Sequence, residues 1–99
     1  MYSKHSPPPS RKSFKDQANR LIDMGYMALS AHARQRMMER DVNMAEVINC
    51  IRKGHVVEDP YIDIKGRWRA SMQRATDGRR IDVVLAAEEP PRLVVVTVF

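Results

Sequence analysis

Hydrophobic spacing in the first half of the chain predicts three helices, over residues 13–24, 31–40 and 44–53. In each helix the apolar residues recur about every 3.6 positions, and each is bounded by a capping or stop residue. The third predicted helix has the most regular pattern, with Met44, Val47, Ile48 and Ile51 at i, i+3, i+4 and i+7. We therefore expect three amphipathic helices, each with one face for a core.

After Gly54 the hydrophobic period changes from 3.6 to 2, which predicts strands over 55–62, 67–75, 79–87 and 92–99. Asp77-Gly78 is a hairpin signal between the second and third of these strands. The last strand, RLVVVTVF, is almost continuously apolar, which is typical of a central strand buried on both faces. Because consecutive strands are joined by short turns, we expect them to form an antiparallel meander.

Helices followed by an antiparallel meander predict an α+β domain, with two to three N-terminal helices packed on one face of a three- to four-stranded antiparallel sheet. Residues 1–12 hold three consecutive prolines and three cations without an acid. They are predicted to form a flexible basic tail, because such prolines continue neither a helix nor a central strand. With 99 residues in all, residues 13–99 are expected to form a single domain.

Composition narrows the classes of function. The chain has 17 Lys and Arg against 12 Asp and Glu, for a net charge of +5, and 12 of the 17 cations are arginine. Such a charge favours a nucleic-acid partner, and arginine suits phosphate recognition. No apolar run is long enough to cross a membrane, and the single Cys50 excludes an internal disulfide. We expect a cytoplasmic protein without a membrane partner. The alternative to a nucleic-acid partner is a soluble protein that is merely basic.

The second helix carries a candidate catalytic group. His32, Arg36 and Arg40 are spaced i, i+4 and i+8, so they share one stripe beside the apolar face. An imidazole can remove a 2′-hydroxyl proton, and guanidinium groups can stabilise the charge that develops on the phosphorus during RNA cleavage. The alternative is a structural role, in which His32 packs against the core or caps the helix and the two arginines are only solvated.

The second candidate surface is the sheet face that the helices leave uncovered. Alternation places Arg67, Arg69, Gln73 and Arg80 on that face, and residues 61–80 carry six cations and two acids. The same alternation turns Trp68 toward the core. The arginines are candidates for phosphate contact, or else they only keep an open face soluble.

Two further features are set aside as sites. Glu88 and Glu89 precede a Pro-Pro turn and are interpreted as a solvated loop. No group of residues has the spacing of metal ligands, so neither a metal nor another cofactor is expected.

The runs LSAHARQRMMERDVNMAEVINCIRKGHVVED, RWRAS and RRIDVVLAAEEPPRLVVVTVF resemble a family of small bacterial proteins of unassigned function. Its pattern is H-A-x-x-R-M-x-x-R, a helix ending in Gly, and strands ending V-V-T-V-[YF]. The resemblance covers residues 29–99. The family resembles a branch of the RelE/MqsR-type toxins, within the barnase/RelE-like ribonucleases.

That resemblance implies a helix pair on an antiparallel sheet, RNA cleavage without a metal, and neutralisation by a cognate antitoxin. In the predicted second helix, the resemblance points to His32, Arg36 and Arg40. In the predicted strands it points to Arg67, Arg69 and Arg80, and to the hydroxyl of Thr97. Gln73 is a further candidate by analogy with MqsR-like sites. The departure is that the cations here are arginine where RelE-type sites often use lysine.

The resulting hypothesis is the toxin of a type II toxin–antitoxin pair, an endoribonuclease that cleaves mRNA. His32, Arg36 and Arg69 are the predicted catalytic residues. The residues predicted to bind RNA are Arg40, Arg67, Gln73, Arg80 and Thr97. The alternative is a non-catalytic module that binds RNA or an acidic protein with the same basic face. A third interpretation, an antitoxin or transcriptional regulator, is disfavoured because no helix-turn-helix pair follows the start of the sheet.

Overall fold

The computed structural model describes residues 7–76, 78–88 and 91–99. Its helices are α1 (Arg11–Asp23), α2 (Ala31–Arg40) and α3 (Met44–Lys53). The bounds of α2 and α3 are the predicted ones. Their ends are fixed locally, because Ser30 and Asn43 each accept a hydrogen bond from the backbone N–H three residues further on.

The first helix begins earlier than predicted. Its cap is Ser10, whose hydroxyl accepts the Ser13 N–H, so α1 starts at Arg11, inside the segment predicted as a tail. The Arg11 side chain also pairs with Asp59 at 2.6 Å. Residues 11 and 12 of the predicted tail are therefore helical, and residues 1–6 lie outside the described residues.

Six strands form one sheet: β1 (Met27–Leu29), β2 (His55–Val56), β3 (Tyr61–Ile62), β4 (Trp68–Thr76), β5 (Arg79–Glu88) and β6 (Arg92–Val98). The order is β1-β6-β5-β4-β2, and β3 also pairs with β4. The α+β class is confirmed, but the sheet is mixed and has more strands than expected. The unpredicted β1 runs parallel to β6, and its three residues are too few to show an alternating pattern.

The strand predicted over 55–62 is in fact two short strands. β2 and β3 both pair antiparallel with β4, through His55 opposite Gln73 and Tyr61 opposite Arg69. Pro60 lies between them, where its missing N–H costs no ladder hydrogen bond. The result is a broken edge along β4 in place of one continuous strand.

The long antiparallel pairs follow the predicted meander. β4 and β5 pair from Trp68 opposite Ala87 to Thr76 opposite Arg79. The predicted turn between them includes Asp77, which lies outside the described residues; Gly78 has a φ of 75°, which favours glycine. The pairing of β5 with β6 shifts by one residue between Val84 and Leu85.

All three helices pack on one face of the sheet. Their buried residues and alternate strand residues, among them Trp68, form a single core cluster. The alternation of β4 is therefore as predicted, and Trp68 is only 5% exposed. The opposite side of the sheet, called the open face below, carries Arg67 and alternate residues of β4 and β5: Arg69, Ser71, Gln73, Arg80, Asp82, Val84, Ala86 and Glu88.

Candidate nucleic-acid interface

The first turn of α2 is tied to the sheet by one residue. The Ser30 hydroxyl accepts the Ala33 N–H and donates to the Val96 carbonyl at 2.7 Å. Val96 has no partner in the β5–β6 register, because the shift in pairing falls beside it. This anchor fixes the start of the helix, where His32 is exposed while Ala33 is fully buried.

Arg36 lies one turn after His32 and reaches the end of β6. Its Nε donates to the Val98 carbonyl at 3.3 Å, and its guanidinium carbon lies 5.3 Å from the centroid of the Phe99 ring. Glu39 is its carboxylate neighbour, at 3.9 Å. Phe99 forms a two-way backbone pair with Asp82 of the open face, so Arg36 is held at the border between α2 and that face.

The other cations of α2 are exposed and uncompensated. Within the ranges that the structure describes, no carboxylate pairs with Arg34 or with Arg40. Arg40 is exposed, and its backbone carbonyl accepts a hydrogen bond from the Arg79 side chain. The stripe predicted on this helix therefore presents positive charge to the outside.

The open-face arginines differ from those of α2, because carboxylates form ion pairs with them. Asp63, just after β3, pairs with Arg67 at 3.0 Å and with Arg69 at 3.2 Å, and its side chain is only 4% exposed. The same carboxylate accepts the backbone N–H groups of Lys65 and Arg67. Asp63 is thus the centre of an ionic cluster that holds both arginines against the sheet.

A second carboxylate joins this cluster from β5. Glu88 pairs with Arg67 at 2.9 Å and also with Arg92. The interpretation of Glu88 as part of a solvated loop is therefore wrong, since it is the last residue of β5 and its side chain is 24% exposed. The Arg67 side chain is 12% exposed, so the residue predicted to contact phosphate is mostly buried and already neutralised.

The other residues predicted on the open face, Gln73 and Arg80, both contact Asp82. Asp82 accepts a hydrogen bond from the Gln73 amide at 2.8 Å and pairs with Arg80 at 3.3 Å. Arg80 is 65% exposed, so its guanidinium can still meet solvent or a ligand. The structure thus joins Gln73 and Arg80 through Asp82, and joins Arg67 and Arg69 through Asp63.

No side-chain hydrogen bond or ion pair among the described residues links Arg69 to His32 or Arg36. The predicted catalytic set is therefore divided between two places, with Arg69 on β4 and the other two on α2. The Nε of Arg69 is buried and has no hydrogen-bond partner within the part of the chain that the structure describes.

Thr97 differs from its prediction as an RNA contact. Its residue is 8% exposed, and its hydroxyl is buried without a hydrogen-bond partner in the part of the chain that the structure describes. The hydroxyl faces neighbouring protein atoms rather than the surface.

Sequence reasoning missed Asp63 and Glu88, which set the charge of the open face. The signal for Asp63 was present, because Asp followed by Gly three residues later is typical of a turn in which the carboxylate accepts backbone N–H groups. The pairing of Glu88 with Arg67 had no local signal, since it depends on the register of β4 with β5.

The ionic cluster lowers the pKa of both carboxyl groups. Burial alone would raise the pKa of Asp63, but hydrogen bonds from the backbone and side chain of Arg67, together with its charge, outweigh burial. For Glu88 the Arg92 hydrogen bond is the main cause of the lowered pKa, burial opposes it, and Arg67 adds to it.

These lowered pKa values predict acid sensitivity. A carboxyl group with a lower pKa in the folded state stabilises the fold above its ordinary pKa, here 3.8 for Asp63 and 4.5 for Glu88. We expect the free energy of unfolding, measured by urea denaturation, to fall as the pH drops below about 4.5. Glu88→Gln should make that decline shallower, and an unchanged pH profile in the variant would contradict this origin.

The remaining chemistry of the described residues is limited. They contain no group of three or more His, Cys, Asp or Glu side chains placed to hold a metal ion. Burial raises the pKa of the Cys50 thiol to about 11, which keeps it protonated. Among the helices that the structure describes, none has the length and apolar character needed to cross a bilayer.

Residues 29–99 match the model of the DUF4258 family, a domain of unknown function. The chain belongs to the DUF4258 family. No curated protein and no solved structure matches the chain. The matched range begins at the last residue of β1 and includes both surfaces described above, α2 with its uncompensated cations and the open face with its ionic clusters. α1 lies before it.

Proposed function

We propose that this DUF4258 chain is a metal-independent endoribonuclease, the toxin of a type II toxin–antitoxin pair, and that it cleaves mRNA in the cytoplasm. One arrangement supports this function best. Arg36 is held over Phe99 at the border of the open face, one helical turn from the exposed His32. A proton acceptor and a fixed guanidinium are thus neighbours on a surface with uncompensated positive charge.

The proposed reaction uses the RNA's own 2′-hydroxyl. His32 removes the 2′-hydroxyl proton, and the 2′-oxygen attacks the adjacent phosphorus. The bond from phosphorus to the 5′-oxygen breaks, that oxygen takes a proton from water, and the hydroxide so formed takes up the proton held by His32. The products are a 2′,3′-cyclic phosphate and a 5′-hydroxyl end. Arg36 stabilises the added negative charge on the phosphoryl oxygens, since a guanidinium keeps its own proton.

The roles of the sheet arginines follow from their ion pairs. Arg69 and Arg80 are half-buried and exposed, respectively, so each can still offer donors to RNA phosphates, whereas Arg67 serves the cluster around Asp63. The main attraction for RNA then comes from α2, through Arg40 and its neighbours. An antitoxin with an acidic segment would complement the same helix.

The experiment that tests this function is cleavage of a single-stranded RNA by the purified chain in EDTA, with Arg36→Ala compared with Arg34→Ala. Removing one group that stabilises the developing charge should slow cleavage about 100-fold. Arg34→Ala removes an equal charge from an exposed position of the same helix, so it should cleave almost as fast as the wild type. Equal losses in both variants would contradict a specific role for Arg36.

One observation favours a second candidate function, a non-catalytic module that binds RNA or an acidic protein. The ion pairs with Asp63 hold Arg67 and Arg69 in fixed positions on the open face, and Arg80 is 65% exposed there, so this face can offer guanidinium groups to a ligand. Such a module would bind RNA without cleaving it, and it would tolerate a change at His32.

A further inference from the structure

A pocket of about 230 Å³ lies on the helix side of the sheet, away from the open face. It is formed between α3 and the paired ends of β4 and β5. Its walls are Glu46, Asn49, Cys50, Arg74, Thr76 and Ile81. Because a water molecule takes about 30 Å³ in the liquid, this space holds several waters or one small organic ion.

Arg74 is a cation on the side of β4 that otherwise faces the core. Ala70 and Met72 precede it on that side and are fully buried, and its partner across the strands is the buried Ile81. Arg74 itself is half-buried, and within the described residues its guanidinium makes neither an ion pair nor a hydrogen bond. The guanidinium is therefore free to pair with an anion that enters the pocket.

The carboxylate in the pocket wall, that of Glu46, already has partners outside the pocket. Glu46 pairs with Arg79 at 3.1 Å, and its other oxygen accepts the Asn43 N–H as part of the cap of α3. Turning it toward Arg74 would break both contacts. Because Glu46 already pairs with Arg79, Arg74 is the charged residue of the described pocket wall that has no ion-pair partner among the described residues.

The remaining walls suit the same ligand. Asn49 and Thr76 bring an amide and a hydroxyl, which can add hydrogen bonds to an oxyanion. The Cys50 sulfur lies 3.6 Å from the carbonyl oxygens of Met72 and Ile81, so its proton is directed into the protein. The protonated thiol neither repels an anion nor competes with it.

We propose that this pocket binds an oxyanion, a carboxylate or a phosphate ester, through the guanidinium of Arg74. The planar fork of arginine matches such a group with two parallel hydrogen bonds. The oxyanion can come from a free small molecule or from an acidic side chain of a partner protein. The site is separate from the proposed cleavage surface and does not depend on RNA chemistry.

The test is NMR titration of the ¹⁵N-labelled full chain with acetate, inorganic phosphate and a short peptide containing one glutamate. We expect the amide signals of Asn49, Cys50 and Thr76 to shift with a Kd of about 1 mM. Equal affinity for acetate and peptide indicates a free small molecule, and tighter binding of the peptide indicates a partner side chain.

Matched variants make the titration specific to Arg74. Arg74→Gln should weaken binding at least about 10-fold, the factor that corresponds to 1.4 kcal/mol. Arg80→Gln removes a charge from the open face of the same hairpin and should leave the titration unchanged. Asn49→Leu, at an exposed helix position, gives a second test if the first variant folds poorly. Shifts that are absent in the wild type, or that persist in Arg74→Gln, would overturn the proposal.

Discussion

Replacing His32 with glutamine is expected to slow RNA cleavage about 100-fold or more, while RNA binding stays close to that of the wild type. Glutamine keeps a hydrogen-bonding group of similar size but does not take up the 2′-hydroxyl proton. His32 is exposed at the start of α2, so the substitution should leave the fold intact. Single-turnover cleavage rates and fluorescence anisotropy with a labelled RNA would separate the two effects.

The matched control is His55→Gln, because His55 is also exposed but lies on β2 at the far edge of the sheet. We expect this variant to cleave RNA at the wild-type rate. If His32→Gln binds and cleaves like the wild type, proton transfer by His32 is contradicted. If the purified chain binds RNA tightly and never cleaves it, the non-catalytic module becomes the better account.

Replacing Asp63 with alanine is expected to lower the free energy of unfolding by about 3 kcal/mol. The change removes a carboxylate that is 4% exposed and leaves Arg67 and Arg69 without this partner on the sheet. It also leaves the backbone N–H groups of Lys65 and Arg67 without their acceptor. Urea denaturation, followed by the fluorescence of the buried Trp68, would measure the loss.

Asp16→Ala is the control for this prediction. Among the described residues, Asp16 forms an ion pair only with the exposed Lys12 one turn earlier on α1, at 2.9 Å. Such surface pairs contribute little to stability, so the variant should unfold close to the wild-type urea concentration. An Asp63→Ala variant that is no less stable than Asp16→Ala would show that the ionic cluster does not hold the open face.

The helices could be predicted because their signals are local. Ser30 and Asn43 cap α2 and α3 through the residue three positions on, and both bounds agree with the sequence. α1 began earlier than expected because Ser10 and Ser13 are both possible caps, and contacts of Arg11 with a distant loop favour the first. Where tertiary contacts choose between two local signals, the sequence pattern is insufficient.

The sheet was harder to predict because its pairing is not local. β1 has three residues between two helices, and only its parallel pairing with β6 makes it a strand. The two short strands opposite β4 likewise depend on their partner. Their few residues cannot show a period of two, so the expected count of three to four antiparallel strands was too low.

In the candidate site, too, the residues placed by local spacing could be predicted and those placed by strand pairing could not. The stripe of His32, Arg36 and Arg40 follows from helical spacing alone, and the structure keeps it exposed or half-exposed. The open-face charge could not be read from a window of sequence. Asp63 lies within residues 61–80, but Glu88 lies beyond them, and strand register decides which arginines they neutralise.

The central claim is that the RNA's own 2′-hydroxyl is the nucleophile and that the protein needs no metal to activate it. The most direct measurement is the cleavage, in EDTA, of two single-stranded oligonucleotides by the purified wild-type chain. One oligonucleotide is RNA, and the other carries 2′-deoxy residues throughout. We expect only the RNA to be cut, with 2′,3′-cyclic phosphate and 5′-hydroxyl ends. Cleavage of the deoxy oligonucleotide, or an intact RNA after prolonged incubation, would contradict the claim.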